Sequence, residues 1–151
     1  MYKIGVISDT HGLLRDEVVA QLEGCQLILH AGDINKPEIL MSLMQIAPLK
    51  VVRGNNDKGE WAEALPEQLR FTVEGKNFFM VHNKKDFIKD RTGIDVMICG
   101  HSHKYSCNLE GETYVLNPGS CGKRRFDLAV TMAILTIDQG QIEITQIDLP
   151  H

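Results

Sequence analysis

Ile4-Gly5-Val6-Ile7-Ser8-Asp9-Thr10-His11 is an apolar run that stops abruptly in a carboxylate and an imidazole. Apolar residues without polar alternation predict a strand covered on both faces, as in parallel sheets. Downstream, Val18, Val19 and Leu22 recur at helical spacing as far as Gly24, and Leu27-Ile28-Leu29 repeats the buried-strand pattern. The first thirty or so residues therefore read as a βαβ unit. Asn35-Lys36-Pro37-Glu38 predicts a second helix, with Asn35 as its cap, an apolar face of Ile39, Leu40, Leu43 and Met44, and Pro48 as its stop. Leu49-Lys50-Val51-Val52 begins a third strand.

From about Leu69 the pattern changes to strands. Phe71-Thr72-Val73 and Phe78-Phe79-Met80-Val81 flank Glu74-Gly75-Lys76-Asn77, a hairpin signal. Further strands are expected at Val96–Cys99, Thr113–Leu116, Val130–Leu135 and Gln141–Ile144, with one short helix around Asp86–Lys89. Neither half has the length for a core of its own, which predicts one domain over residues 1–151, with two sheets packed face to face and helices outside.

The composition bounds the function classes. The chain has 151 residues, 43% hydrophobic and 24% charged, near the averages of globular proteins, which excludes fibrous and low-complexity classes. A net charge of −4 argues against a long nucleic-acid track. The N-terminal apolar run is too short for a signal peptide and no run approaches a membrane span, so a cytoplasmic protein without membrane association is expected. Cys25, Cys99, Cys107 and Cys121 form no C-x-x-C pair, which predicts reduced, mostly buried thiols.

Five of the apolar runs end in residue types that ligate metals. The segments are Ser8-Asp9-Thr10-His11, His30-Ala31-Gly32-Asp33, Arg53-Gly54-Asn55-Asn56-Asp57, Val81-His82-Asn83 and Gly100-His101-Ser102-His103. Sites in open α/β sheets assemble beyond the carboxyl ends of strands, so these segments are expected to share one crevice. If the segments are extended, Asp9 pairs with His11 and His101 with His103 on one face. Carboxylate, amide and imidazole together suit manganese, iron, cobalt, nickel or zinc, and the lack of thiolates speaks against a structural zinc. Asp9, His11, Asp33, Asn55, His82, His101 and His103 are too many donors for one ion and suffice for two that share Asp33. His30 is expected behind the ligands or in packing, and His151 in the tail.

The ordered set Asp9-x-His11, Gly32-Asp33, Gly54-Asn55, His82 and Gly100-His101-x-His103 resembles the calcineurin-like metallophosphoesterase superfamily. With Asn117-Pro118-Gly119-Ser120 and the short length, it is similar to the YfcE-like phosphodiesterase branch. The resemblance implies a four-layer α/β/β/α sandwich and a phosphodiesterase with two divalent ions, manganese being the usual activator. It implies Asp9, His11, Asp33 and His103 on one ion, and Asp33, Asn55, His82 and His101 on the other. A hydroxide between the ions would attack a small phosphodiester, with Asp33 and Asn55 in the catalytic group. The family's leaving-group acid, a His, is replaced here by Asn56, expected at the substrate, and Arg53, Arg124 and Arg125 are candidates for its phosphoryl oxygens. Lys84 and Lys85 are expected to face solvent, and Trp61 either to pack or to stack a base. Rival readings are a phosphomonoesterase and a non-catalytic scaffold on the same fold, and pairing of exposed sheet edges into a homo-oligomer stays open.

Overall fold

The structure, a computed structural model, describes residues 1–125 and 127–150, so His151 lies outside the described residues. Two five-stranded mixed sheets form an α/β sandwich. In the first, β1 (Tyr2–Ile7), β2 (Leu27–His30) and β3 (Leu49–Val51) run parallel, linked by α1 (Asp16–Leu22) and α2 (Pro37–Met44), and a short α3 (Glu60–Glu63) follows. The second contains β4 (Gln68–Val73), β5 (Lys76–Val81), β6 (Val96–Ile98), β7 (Ser106–Glu110) and β8 (Thr113–Asn117), in the order β4-β5-β6-β8-β7. The last hairpin, β9 (Thr131–Asp138) and β10 (Gln141–Asp148), returns to the first sheet, where β9 lies antiparallel to β1.

Burial follows the strand patterns. Ile4, Val6, Leu27 and Leu29 of the first sheet meet Phe78, Met80, Val96, Ile98 and Leu116 of the second in the central layer. The opposite face of the first sheet, with Ile7 and Ile28, packs under Val18 and Leu22 of α1 and Ile39 and Leu43 of α2. Trp61 is half-buried against this cluster, so it packs. The outer face of the second sheet is covered far more thinly. Among the described residues, the apolar cover of Phe79, Val81, Ile94 and Met97 comes from Phe87 and Ile88, in a loop that holds a single 3-10 turn, Lys84–Asp86, in place of the helix expected at Asp86–Lys89.

Three further expectations are corrected. Asn35 does not cap α2; the cap is Lys36 with no side-chain bond, because the Asn35 amide reaches His11 instead, 3.2 Å from Nδ1. Met44, assigned to the apolar face of α2, is 58% exposed. Strand β7 was not foreseen: its polar run, Ser106-Cys107-Asn108-Leu109-Glu110, lies on a sheet edge where only Cys107 gains cover. No described helix is long and apolar enough to cross a membrane.

Candidate metal centre

The five donor segments follow β1, β2, β3, β5 and β6, and all leave at the carboxyl ends of parallel strands. Backbone bonds stitch them together: Asp9 N–H donates to Gly32 O at 2.9 Å, His11 N–H to Asp33 O at 3.0 Å, and Gly100 N–H to His82 O at 2.9 Å. Convergence does not come from extended alternation, however. Asp9, His11, Asp33, His101 and His103 all sit in the left-handed region, at φ of 56°, 47°, 61°, 73° and 64°. That conformation costs a non-glycine residue on the order of 1–3 kcal/mol, and it concentrates where surrounding structure forces side chains inward. Close approach also explains two glycines. A Cβ on Gly54 would strike the Asp33 backbone and carboxylate, and one on Gly100 would strike the Ser8 hydroxyl.

Two donor groups result, Asp9 with His11 and His103, and Asp33 with His82 and His101. In the first, the Nε2 atoms of His11 and His103 are 3.1 Å apart, and the buried Asp9 Oδ1, with no well-formed hydrogen bond, lies 3.5 and 3.4 Å from them. Asp9 Oδ2 is taken by the Ser8 hydroxyl at 2.7 Å and the His101 N–H at 3.0 Å, which fixes Oδ1 toward the imidazoles. Two imidazole nitrogens facing an unmatched carboxylate oxygen fit a divalent cation. In the second group, His82 gives its Nδ1–H to Ala31 O at 2.7 Å, leaving Nε2 toward Asp33 Oδ2 at 3.2 Å. Asn55 Oδ1 lies 3.2 Å from Nδ1 of the exposed His101. Asp33 Oδ2 is also 3.6 Å from His11 Nε2, so this carboxylate stands between the groups.

The electrostatics agree. Burial works to raise the Asp9 carboxyl, but His103, His11, His82 and the Ser8 hydroxyl outweigh it and hold the group below the usual carboxylate range. Asp33 is lowered likewise, against its burial, by His82 and the Asn56 N–H. Burial pushes His82 down, yet Asp33 and Asp9 prevail and raise it. The thiols take no part: burial pushes Cys99 up to about 11 and Cys121 to about 12, and all four cysteines are free.

The residues behind the donors hold the design. His30 is fully buried; its Nδ1 accepts from Gly32 N–H at 3.1 Å, so Nε2–H faces the Thr10 hydroxyl oxygen at 3.1 Å. Burial pushes His30 down to about 4 from 6.5. The unfolded chain then takes up a proton that the fold refuses, and the His30 contribution is lost as pH falls between those values. His30→Gln is expected to flatten this dependence by about 2 kcal/mol between pH 7 and pH 5, measured by urea unfolding without metal. An unchanged slope would show that His30 is charged in the fold.

Asp57, to which the sequence reading gave no role, is 1% exposed and holds two loops at once. Oδ1 accepts the N–H groups of Ile34 and Asn35, both at 2.8 Å, and Oδ2 those of Asp33 at 3.0 Å and Gly54 at 2.8 Å. It lay within a quoted segment, but no local pattern marks an Asp as a backbone anchor. The Asn117-to-Ser120 turn acts similarly: Asn117 Nδ2 donates to Gly100 O at 3.0 Å and Ser120 to Asp9 O at 2.9 Å.

The substrate candidates separate. Arg53 is half-buried, donates from Nε to Asp57 O at 3.1 Å, and lines a 380 Å³ cleft with Asn55 and His82. Asn56, a candidate for the substrate, donates both its N–H and its Nδ2 to Asp33, at 2.9 and 3.1 Å. Arg124 and Arg125 are exposed and line neither this cleft nor the 280 Å³ one beside His101.

A sandwich of two mixed sheets with carboxylates, imidazoles and an amide gathered beyond its parallel strand ends is the architecture of a metallophosphoesterase. The calcineurin-like phosphoesterase superfamily domain matches residues 2–140, and the chain belongs to that superfamily. It is 33% identical over 131 residues to a probable metallophosphoesterase of Methanothermobacter thermautotrophicus, covering 78% of this chain and 76% of that protein. A phosphodiesterase of Methanocaldococcus jannaschii is 26% identical over 139 residues, covering 79% and 84%. Among solved structures, Chaetomium thermophilum Vps29 superposes with a TM-score of 0.77 at 18% identity, covering 99% of this chain and 97% of that one, which is a likeness of fold.

Proposed function

We propose that this protein is a phosphodiesterase that uses two divalent cations, held by Asp9, His11, Asp33 and His103 and by Asp33, Asn55, His82 and His101. The observation that carries the reading is the Asp33 carboxylate standing between two donor groups that each present at least one buried atom with no well-formed hydrogen bond among the described residues. Manganese, nickel, iron, cobalt or zinc suits these donors, and manganese is the cation to try first. Held by these residues, the cations would supply Lewis acidity, toward a water at near-neutral pH and toward the phosphoryl oxygens.

The chain's own groups then do the following. Asp9 and Asp33 supply negative charge inside a cluster of imidazoles, and the Ala31 carbonyl keeps the His82 Nδ1 proton in place so that Nε2 stays a donor. Arg53 presents its guanidinium to the phosphoryl oxygens from the cleft wall. Asn56 holds Asp33 and has no proton to give a departing alkoxide. Good leaving groups are therefore preferred. The relative named a phosphodiesterase supports diesters as the substrate class. A non-catalytic scaffold on the same fold is the alternative, but that reading leaves the complete donor set unexplained.

The test is hydrolysis of bis(4-nitrophenyl) phosphate and 4-nitrophenyl phosphate by metal-stripped protein with manganese restored. Manganese-dependent turnover favouring the diester is expected. Cation binding without turnover of either ester would leave the scaffold reading standing. Asn56→His is expected to raise the rate toward an alkyl-leaving diester by about 10² and to change the nitrophenyl rate little, because a positioned acid matters most for a poor leaving group. No gain on the alkyl ester, with cations still bound, would remove this account of Asn56.

A further inference from the structure

We infer that the cleft on the thinly covered outer face of the second sheet receives an anionic ester arm, so that the substrate is a diester with a second negative group, a phosphate or carboxylate, on one of its alcohols. The inference rests on the phosphodiesterase reading and names the substrate class of that site.

Two separate clefts reach the second donor group. The 380 Å³ cleft ends on His82 and Asn55, the 280 Å³ cleft on Gly100 and His101, and Asn83 lines both. His82 and His101 belong to one donor group, so a phosphorus held there has a separate cleft for each ester arm. A monoester would leave one cleft empty.

The clefts differ in charge. In the first, Arg53 and Lys85 are offset by Glu67 and Asp86. The second is lined by Lys84 and Lys104, and its acid, Glu110, is paired with Arg91 at 2.7 Å. Neither lysine has an ion-pair partner among the described residues. Both face solvent, as the sequence led one to expect of Lys84, but they do so over this cleft. The remaining wall is formed by β7 and β8, where Ser106, Asn108 and Asn117 offer hydrogen bonds and Val115 a small apolar floor. The 3-10 turn Lys84–Asp86 brings Lys84 to the cleft, and the loop after it packs Phe87 and Ile88 over Phe79 and Met97. An arm lying along β7 thus starts at the candidate cation position and passes two unpaired ammonium groups.

The test compares kcat/KM of the manganese-loaded protein for 4-nitrophenyl butyl phosphate and 4-nitrophenyl 3-carboxypropyl phosphate, two diesters of nearly equal size. About a tenfold preference for the carboxylate arm is expected at low salt, the size two exposed charges support, and it should shrink in 0.5 M sodium chloride. The double substitution Lys84→Ala, Lys104→Ala is expected to bring the ratio to about one. Lys89→Ala, which removes one exposed charge outside both clefts, should leave it in place. Equal turnover of both esters by the unsubstituted protein, a ratio that survives the double substitution, or an equal loss with Lys89→Ala would overturn the inference alone. Turnover of neither ester would overturn the phosphodiesterase reading and this inference with it.

Discussion

Asp57→Ala is expected to cost about 3–5 kcal/mol of folding stability in the metal-free protein, measured by urea unfolding. Four backbone N–H groups point at this one carboxylate, three from the segment after β2 and one from Gly54 after β3. Alanine removes all four acceptor contacts, and the 1% exposure of Asp57 leaves little access for replacement water. Charge-assisted bonds contribute about 1.5–3 kcal/mol each, and an orphaned donor costs about 1–3 kcal/mol, so even strongly non-additive losses reach the stated range. That is a large part of the 5–15 kcal/mol typical of a domain. Asp57→Asn keeps one acceptor oxygen and should fall between. Because the same bonds align Asp33 with Gly54, manganese affinity of the folded variant should drop as well. A loss under about 1 kcal/mol would mean that other contacts hold the two loops.

Asp33→Asn is expected to change the number of bound cations from two per chain to one, and to lower diester hydrolysis about 10³-fold. Two dications roughly 3.5–4 Å apart repel by about 18 kcal/mol at an effective dielectric of 20, so the pair requires negative charge between its members. In the proposed centre Asp33 is the carboxylate that would take that place, 3.6 Å from His11 Nε2 and 3.2 Å from His82 Nε2. An amide of the same shape keeps oxygen contacts but brings no charge. Asp9, His11 and His103 remain for one ion. Metal content by plasma emission separates the steps: two ions retained in the variant would show that Asp33 does not link the sites, whatever the rate.

Most of the architecture is readable locally. The βαβ opening, the Glu74-Gly75 turn with φ of 50° and 78°, and the last hairpin through Gln139-Gly140 follow from period and turn chemistry. Strand β7 escaped because an edge strand buries too little to carry an apolar signature. The pairing of Asp9 with His11 was expected from extended backbone and is produced by the opposite means, left-handed residues held by bonds from distant segments.

The chain's residue types, taken alone, marked out the candidate donors and the strands that carry them, because ligand chemistry and apolar period are properties of short stretches. Tertiary structure alone decided that Asp57 anchors two loops, that Asn56 and Asn35 turn toward Asp33 and His11, and that two lysines overhang a cleft. Each of these depends on a hydrogen bond or a wall supplied from another part of the chain, and a backbone N–H carries no side-chain label from which a distant partner can be read.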